Sequence, residues 1–557
     1  MILDDYNSHL YYRGLYRPLS LTYLMRRLHD LLLLTLGLLL LVPVGGVLAS
    51  WWQWDAQSAS ILAGLASTVL PAYAGASLVL CLIVAAGVAL VGVTTAAAVT
   101  LFDFPGRRTF EWALLLPLAM PAYVTAYAYT DFLQFSGPLQ SWLRASFGLE
   151  GRVFPEVRSL PGAAWVFVFS LYPYVYLLAR TALGERASHL MEAARLLGAP
   201  LRRRILQVAL PLARPAVAAG VALALMETLA DFGVSSYFGI QTFSTGIYKA
   251  WLAMDNRVAA AQLATTLLAV VAVLLWLEYR AQRRMRFAVA RGDRAGSGEA
   301  QPIALDGARR AMAWAVCALP VLMGFVLPVA FMLRPLAADW SVLPWDRFVQ
   351  WALNSVRLGV LSAVLAVGVA VLLVFSLRQR SDPLTRGVVR VAGMAYAVPG
   401  AVIVVGLLLP VGWLQQVAPD TPIVYWVTGT VLGVVWAYLV RFMSVALQSV
   451  QSGYARIPAS LDDTARMLGT SGWRLLARVH WPLLKRSTVA AGLLVFVDVM
   501  KELPATMVLR PFNTDTLAVV AYQLARDERL GEAALPSLAL VLVGLIPVML
   551  LSRTLRR

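Results

Sequence analysis

Apolar blocks of about 20 residues, long enough for a helix to cross the roughly 30 Å hydrocarbon core of a bilayer, recur along the whole chain. They constrain the fold more than any other feature of the sequence. The composition agrees with them: 60% of the 557 residues are hydrophobic, only 14% are charged, and the mean hydropathy is +0.71. The sequence therefore predicts an all-α integral membrane protein with many spans.

We predict about 12 transmembrane helices in two tandem sets of six. The first set lies near residues 31–50, 77–101, 112–132, 162–180, 207–229 and 258–278. The second set lies near residues 311–333, 355–377, 388–410, 424–445, 484–503 and 534–552. A charged, Gly- and Ser-containing stretch between the sets is typical of a linker. The resulting division is a first transmembrane domain at 1–280, a cytoplasmic linker at 281–310 and a second transmembrane domain at 311–557.

Positive charge is distributed unevenly over the predicted loops. With 47 Lys and Arg against 30 Asp and Glu, the formal net charge is +17. Basic residues crowd both termini and alternate loops, namely 107–108, 180–204, 280–310, 378–390 and 441–486. This alternation follows the positive-inside rule, so we expect these loops and both termini to be cytoplasmic. It explains the charge without nucleic acid, and no basic tract interleaved with aromatic residues suggests such a partner.

The sequence shows no motif for a resident cofactor, a metal or a catalytic group. Cys81 and Cys317 lie singly inside apolar blocks, and the four histidines have no metal-binding spacing. There is no GxSxG, no HExxH and no clustered carboxylate–histidine set, so an integral-membrane enzyme is not expected. A GxxxxGK[ST] phosphate loop is also missing, so any ATP hydrolysis would have to come from a separate polypeptide.

One polar loop occurs twice, at the same place in each predicted set. Residues 192–211 read EAARLLGAPLRRRILQVALP, and residues 463–482 read DTARMLGTSGWRLLARVHWP. Gly198 and Gly469 are 271 positions apart. Both copies fall on the basic, predicted cytoplasmic side. A repeated loop in a repeated membrane domain suggests two docking points for one two-lobed partner.

Each copy predicts a short helix, a tight turn and a second helix that leads back into the membrane. The segment 191–197 consists of good helix formers, and Gly198 can end it in a left-handed cap. Pro200 can begin the next segment. In the second copy Gly469 is the stop, and Thr470 or Ser471 is a candidate N-cap.

These loops resemble the EAA loop of ATP-binding-cassette (ABC) importer permeases. In the first copy the residues that carry the resemblance are Glu192, Ala193, Ala194, Gly198, Val208, Leu210 and Pro211. In the second, more divergent copy they are Asp463, Ala465, Gly469 and Pro482. The resemblance implies that both loops couple to a separate ABC ATPase subunit present in two copies. It also implies an extracytoplasmic solute-binding protein, alternating access and a multi-pass location in a bacterial cytoplasmic (inner) membrane.

A second resemblance concerns the substrate. Segments 102–108, 121–140, 227–251 and 501–518 are similar to the fused permeases of ferric-iron importers. Fused thiamine-type permeases share the same plan, so thiamine or another small solute is an alternative substrate. An ion-coupled secondary transporter with parallel repeats would also fit twelve spans, but it would not explain the two loops.

Acidic residues also follow the 271-residue offset. It pairs Glu227 with Asp498, Asp231 with Glu502 and Thr245 with Thr516. The four acids lie at the outer ends of the fifth and eleventh predicted spans, where ionisable groups are costly. They predict either a symmetric acidic rim on a translocation path for a cation, or helix capping and pairing, for example with Lys501.

A tyrosine–carboxylate group in the third predicted span is a weaker candidate. The oxygens of Tyr127, Tyr129 and Asp131 are ligand types that suit ferric ion. Tyrosines are also abundant as anchors at the membrane interface, and that interpretation is preferred.

Overall fold

The computed structural model describes residues 19–52, 56–184, 188–289, 302–338, 340–341, 343–380, 382–394 and 398–555. The middle of the predicted linker, residues 290–301, lies outside these ranges. The helices of the first half are α1 (Leu19–Ala49), α2 (Ala56–Thr68), α3 (Leu70–Leu101), α4 (Arg107–Ala113), α5 (Ala122–Leu133), α6 (Pro138–Phe147), α7 (Leu160–Ala182), α8 (Ser188–Leu196), α9 (Leu201–Arg204), α10 (Leu210–Ala230), α11 (Gly233–Tyr237), α12 (Phe243–Tyr248) and α13 (Arg257–Val289).

The second half repeats this succession. Its helices are α14 (Gly307–Val321), α15 (Leu327–Ala338), α16 (Trp345–Gln379), α17 (Pro383–Met394), α18 (Gly400–Val417), α19 (Pro422–Gly429), α20 (Leu432–Tyr454), α21 (Ala459–Met467), α22 (Gly472–Leu475), α23 (Trp481–Lys501), α24 (Pro504–Leu509), α25 (Leu517–Arg526) and α26 (Leu530–Leu555). Two short strands, β1 (Phe102–Asp103) and β2 (Ile303–Ala304), pair in parallel and fasten the end of the predicted linker to the loop after α3.

The predicted all-α membrane fold is confirmed. Among the described residues, ten helices are long and apolar enough to cross a bilayer, or eleven if the bent pair Arg107–Ala119 and Ala122–Phe147 counts as one span. Helices dominate because backbone polar groups in hydrocarbon must be satisfied within their own segment. The predicted number was about 12, and the difference arises at the third and eleventh predicted spans.

The third predicted span, 112–132, is broken in the middle. The chain bends by 88° between Ala119 and Ala122. Met120, which precedes Pro121, has an extended backbone with φ −101° and ψ 124°. A proline disfavours helical backbone in the residue before it, so the helix stops here and α5 begins in a new direction.

The eleventh predicted span, 484–503, corresponds to α23. This helix has 21 residues, but it carries four charged side chains and is too polar to qualify as a span by composition. They are Lys485, Arg486, Asp498 and Lys501. The ninth and tenth predicted spans are also displaced, because the helices there begin at Gly400, directly after Pro399, and at Leu432.

The 271-residue offset holds for whole elements. Helices α8, α9 and α10 recur as α21, α22 and α23 with the same bounds after the shift. Even the π-helical turn Ile205–Ala209 before α10 recurs, as Leu476–His480 before α23. The repeat seen in the sequence is therefore a repeat of three-dimensional elements.

The two halves interlock through helices α1 and α15, which lie near the start of each half. Helix α1 crosses α18 of the other half so closely that a Cβ atom at Gly406 would overlap the backbone of Pro43. In the reciprocal position, α15 packs against α5, and the hydroxyl of Tyr129 donates to the Met323 carbonyl at 2.7 Å. Each half thus supplies a helix that packs on the other half.

Candidate functional site

Both repeated loops end their first helix in the same hydrogen-bonded turn. After α8, Gly198 has a φ of 78°, and the amide of Ala199 donates to the Ala194 carbonyl at 3.0 Å. After α21, Gly469 has a φ of 79°, and the next amide makes the equivalent bond at 2.9 Å. This is a Schellman turn, whose left-handed residue favours glycine.

Each turn projects two large apolar side chains away from the protein. The exposed fractions are 85% for Leu196 and 88% for Leu197. In the second loop they are 89% for Met467 and 80% for Leu468. Burial of apolar surface is favourable by about 25 cal/mol per Å², so these pairs are suited to contact with another protein.

The predicted coupling residues lie around these turns. In the first loop, Glu192 and Ala193 are exposed on α8, whereas Ala194 and Pro211 are half-buried. In the second loop, Asp463 and Pro482 are exposed, whereas Ala465 is buried. The two loops therefore present similar outer faces, with an acidic residue beside the exposed apolar pair.

A buried network of charges ties α21 to its neighbours. Arg378, at the end of α16, donates through Nε and Nη2 to both carboxylate oxygens of Asp462, at 2.6 and 3.0 Å. The same guanidinium donates to two backbone carbonyls just before α21, at 3.0 Å each. His480 places Nε2 2.9 Å from Asp462 Oδ1 and Nδ1 3.2 Å from the Tyr454 hydroxyl.

This network keeps the Asp462 carboxylate charged. Burial alone would raise the pKa of Asp462, but hydrogen bonds from Arg378 and His480 outweigh burial, and the pKa lies below its ordinary value. The carboxylate therefore links three helical segments, α16, α21 and the turn before α23.

The first loop has apolar residues at the equivalent positions. Asp462, His480 and Tyr454 correspond by the offset to Met191, Ala209 and Leu183, and all three are buried. Of the described residues 190–198, none uses its side chain in a hydrogen bond or an ion pair. A nearby ion pair, Arg180–Glu111 at 3.1 Å, joins α7 to α4 and does not reach α8.

The helices that lead inward from the loops both end at an acidic cap. Asp231 follows α10, and its Oδ1 accepts from two amides at the start of α11, at 2.9 and 3.3 Å. Glu502 follows α23, and its two oxygens accept from two amides at the start of α24, at 3.0 and 2.9 Å. Both acids cap the helices that follow them, which is the capping role considered from the sequence.

The chain breaks at Asp231, after α10, and at Glu502, after α23, and a cavity of about 210 Å³ lies between these two breaks. Its charged lining residues are Glu227, Asp231, Asp498, Glu502, Arg441 and Lys501. When all six are ionised, the lining carries two more negative than positive charges. All four acids of the predicted path thus lie around one space, together with two basic residues.

Glu227 and Asp498 differ from the two capping acids. Each lies in the last turn of its helix, α10 or α23. A negative charge there opposes the helix dipole and costs about 0.3–1 kcal/mol. Capping does not account for these two acids.

Two hydrogen bonds of Lys501 join the cavity walls across the halves, whereas Arg441 pairs within the second half. Arg441 Nη1 lies 3.2 Å from Glu502 Oε1. Lys501 Nζ donates to the Leu118 carbonyl at 2.9 Å, beside the break in the third predicted span. The hydroxyl of Tyr123 donates to the carbonyl of Lys501 at 3.3 Å.

Two arginines lie where the charge pattern of the sequence does not place them. The pattern assigns Arg441 to the basic loop 441–486, but it lies inside α20 and lines the cavity. The pattern assigns Arg378 to the basic loop 378–390, but it anchors α21. A lone arginine within an apolar run is a signal that could have identified Arg441.

The tyrosines of α5 pack inside the protein and do not anchor it at the membrane interface. Tyr127 is 1% exposed and meets the Tyr237 ring edge-on, with ring centroids 4.7 Å apart. Asp131 lies 3.6 Å from Arg334. In the part of the chain that the structure describes, no group of three or more His, Cys, Asp or Glu side chains could hold a metal ion.

Comparison with known proteins identifies the family. Residues 89–287, which include the first loop and α10, match the family model described as binding-protein-dependent transport system inner membrane component. The Fe(3+)-transport system permease protein FbpB 2 of Haemophilus influenzae is 23% identical over 460 residues, which cover 81% of this chain and 84% of that protein. The chain belongs to the ABC importer permease family. This permease is therefore a transport component and not an enzyme.

Other relatives of the permease are named for different substrates. The putative 2-aminoethylphosphonate transport system permease protein PhnV of Salmonella typhimurium is 28% identical over 264 residues, 44% of this chain and 96% of that protein. The sulfate transport system permease protein CysW of Escherichia coli is 30% identical over 199 residues, 35% of this chain and 66% of that protein. Membership in a binding-protein-dependent family implies an ATPase and a solute-binding protein as partners of the permease.

Proposed function

We propose that this permease moves ferric iron from an extracytoplasmic binding protein into the cytoplasm by alternating access. The observation that carries the choice of a cation is the acidic lining of the central cavity, four carboxylates against Arg441 and Lys501. A sulfate or phosphonate anion would be repelled by this excess of negative charge, whereas a hard cation prefers oxygen ligands. The similarity to an Fe(3+)-transport permease over 81% of the chain supports the same choice.

The path runs through the cavity between the breaks after α10 and α23. Glu227 and Asp498 attract the cation as it enters. Asp231 and Glu502 stabilise the two breaks because they cap α11 and α24. The passage is transient, which agrees with side chains that line a cavity without forming a tight metal cluster among the described residues.

Coupling takes place at the two repeated loops. Each loop docks on one copy of an ATPase subunit through its exposed apolar pair and the neighbouring acid, Glu192 or Asp463. Closure of the ATPase dimer then moves α8 and α21 together, and the continuous helices α10 and α23 carry this motion to the cavity acids.

The membrane orientation follows from the basic loops. Both coupling loops and both termini face the cytoplasm of a bacterial cell, with the permease in the inner membrane. The domains 1–280 and 311–557 rock against each other, and the exchange of α1 and α15 between them keeps the halves together during the motion.

The substrate is tested by ATPase activity in a reconstituted complex of the permease, its ATPase and its binding protein. ATP hydrolysis by the complex is measured with a ferric-loaded and with a thiamine-loaded binding protein. Binding proteins loaded with sulfate or with 2-aminoethylphosphonate are two further conditions. Ferric-loaded protein is expected to stimulate ATP hydrolysis most. Stimulation by thiamine alone would replace iron by the organic cation, and stimulation by either anion would overturn the cation path. Uptake that persists without any ATPase would favour ion-coupled transport.

The path is tested with the double variant E227Q/D498N. Removal of two carboxylates is expected to lower ferric transport at least tenfold, since one charge contact of about 1.4 kcal/mol corresponds to a factor of ten. E150Q, in an exposed loop, is the matched control and keeps normal transport. Unchanged transport by a normally folded E227Q/D498N protein would remove these acids from the path.

A further inference from the structure

A long apolar groove runs along the outside of the second half, between α16 and α23. Its volume is about 900 Å³. The residues that line it are Val360, Ala363, Val364, Val367, Gly368, Val371, Leu372, Trp473, Leu476, Ala477, Trp481, Thr488, Val489, Gly492, Leu493 and Phe496. Thr488 is the only one of these residues with a hydroxyl group, and this hydroxyl donates to the Leu484 carbonyl at 2.9 Å. The groove therefore offers almost pure hydrocarbon to an occupant.

Small residues make the groove, and large exposed ones form its edges. A Cβ atom at Gly368 would meet nothing within 4 Å, and one at Gly492 would meet only a methyl group of Val367, at 3.9 Å. Val364 and Val489 stand at the edges with 65% and 69% of their surface exposed. The two helices thus leave a space that their own side chains do not fill.

The end of the groove near the coupling loop is aromatic and basic. Trp473 and Trp481 line this end and are 69% and 49% exposed. Four exposed cations follow them closely in sequence, namely Arg474, Arg478, Lys485 and Arg486. Lys485 lies about one helical turn beyond Trp481 on α23. Tryptophan and lysine or arginine together are typical of the depth at which lipid headgroups lie.

We propose that this groove binds an anionic phospholipid, with its acyl chains between α16 and α23 and its phosphate at Arg474, Arg478 and Lys485. Acyl chains match the hydrocarbon lining, and arginine and lysine bind phosphate through charge-assisted hydrogen bonds. An extended peptide does not fit, because its backbone groups would find no partners in such a lining. Charge complementarity at one end selects an anionic headgroup over a zwitterionic one.

The first half does not repeat the headgroup end. By the 271-residue offset, Trp473 and Trp481 correspond to Arg202 and Leu210, and Lys485 corresponds to Arg214. The aromatic pair is therefore particular to the second half. The lipid would lie against α23, which joins the second coupling loop to Asp498, so it would stabilise one of the two coupling routes.

Tryptophan quenching tests the proposal in the full-length protein. The permease is reconstituted in vesicles that contain either dibrominated phosphatidylglycerol or dibrominated phosphatidylcholine at the same mole fraction. Brominated chains quench tryptophans that they touch, so phosphatidylglycerol is expected to quench more. The additional quenching by phosphatidylglycerol should disappear in the W473F/W481F variant, which lacks the two tryptophans that line the groove.

The headgroup contacts are tested with R474Q/R478Q/K485Q. Each basic residue near an anionic surface contributes about 1 kcal/mol, or roughly fivefold, so the mole fraction of phosphatidylglycerol for half-quenching should rise at least about fivefold. R202Q/R203Q, in the exposed part of the first loop, is the matched control and keeps the wild-type value.

Three results would overturn the proposal. The first is equal quenching by the two lipids in the wild-type protein. The second is an excess that survives R474Q/R478Q/K485Q with unchanged thermal unfolding. The third is weak quenching by both lipids that grows as the protein is diluted into more lipid, which would assign the groove to a second copy of the chain.

Discussion

The two coupling loops have the same backbone but different anchors. Helices α8 and α21 end in the same Schellman turn and expose a similar apolar pair. Behind α21, Asp462 is bonded to Arg378 of α16 and to His480 before α23. Behind α8, the equivalent space is filled by Met191 and its apolar neighbours.

Under the proposed mechanism, this difference separates two tasks of the loop. The turn and the exposed pair would determine how the ATPase subunit docks, and both copies retain them. The anchor would determine which helices move with the docked loop. Because charge-assisted hydrogen bonds are directional and apolar contacts are not, the network holds α21 to α16 in one geometry, a constraint that the apolar residues behind α8 do not impose.

The largest expected difference between the loops comes from Asp462→Asn. Loss of the carboxylate leaves the Arg378 guanidinium, 17% exposed, without its counter-ion. Breaking a buried ion pair costs about 3–5 kcal/mol, and because Arg378 partly reaches water we expect a loss of about 2–3 kcal/mol. The loss is measured as a lower midpoint of thermal unfolding, together with ATPase activity that no longer responds to the loaded binding protein.

Met191→Leu is the matched change in the first loop. It conserves volume in an apolar site, so its cost is expected to stay below about 1.5 kcal/mol. If the two variants lose the same small amount of stability, the charge network does not anchor α21 and the comparison between the loops fails.

Much of this arrangement could be predicted from residues that are close in sequence. Membrane spans can be predicted from apolar blocks, because a helix satisfies its own backbone hydrogen bonds in hydrocarbon. The Schellman turns can be predicted from Gly198 and Gly469. The gapless offset fails farther along, since the structural equivalent of the N-cap Thr516 is Thr242 and not Thr245. The second half therefore has three additional residues here, because α24 is one residue longer than α11 and the loop after it is two residues longer.

Contacts between distant residues could not be predicted. Arg378 and Asp462 are 84 positions apart, and each belongs to a stretch that is typical of a solvated loop. The exchange of α1 and α15 between halves depends on packing such as that of Gly406 against Pro43, for which the hydropathy pattern gives no signal. The four acids at the ends of α10 and α23 lie around one cavity only because this packing brings the two halves together.

A smaller and equal effect is expected from Gly198→Ala and Gly469→Ala. An L-residue in left-handed backbone costs about 1–2 kcal/mol. An added Cβ would meet nothing within 4 Å at either glycine, so strain in the backbone is the only cost. Thermal unfolding should show the same loss, about 1 kcal/mol, in both variants. A clearly greater loss at Gly469 would mean that the turn itself, and not only its anchor, differs between the loops.

Acid should weaken the second loop selectively. The pKa of Asp462 is lower in the folded protein than in the unfolded chain, whose aspartates titrate near pH 4. Its contribution is therefore fully present above about pH 4 and is lost as the pH falls through the folded pKa. The gap in unfolding midpoint between wild type and Asp462→Asn should stay constant from neutral pH to about pH 5 and narrow below pH 4. A gap that stays constant down to the acid limit would contradict the ionic anchor.

The smallest expected difference lies on the outer faces of the loops. Asp463 lies 3.5 Å from Arg466, so its charge is partly neutralised before a partner arrives. Glu192 has no ion pair among the described residues, and its full charge is available for docking. Exposed charge contacts contribute about 0.2–1 kcal/mol, so Glu192→Ala should weaken binding of the ATPase by at most about fivefold, and Asp463→Ala by less. The affinity is measured with the purified ATPase at low salt, and with high salt as the control, because screening should reduce both effects. Equal losses would mean that Arg466 releases Asp463 on docking, and the two loops would then differ only in their anchors.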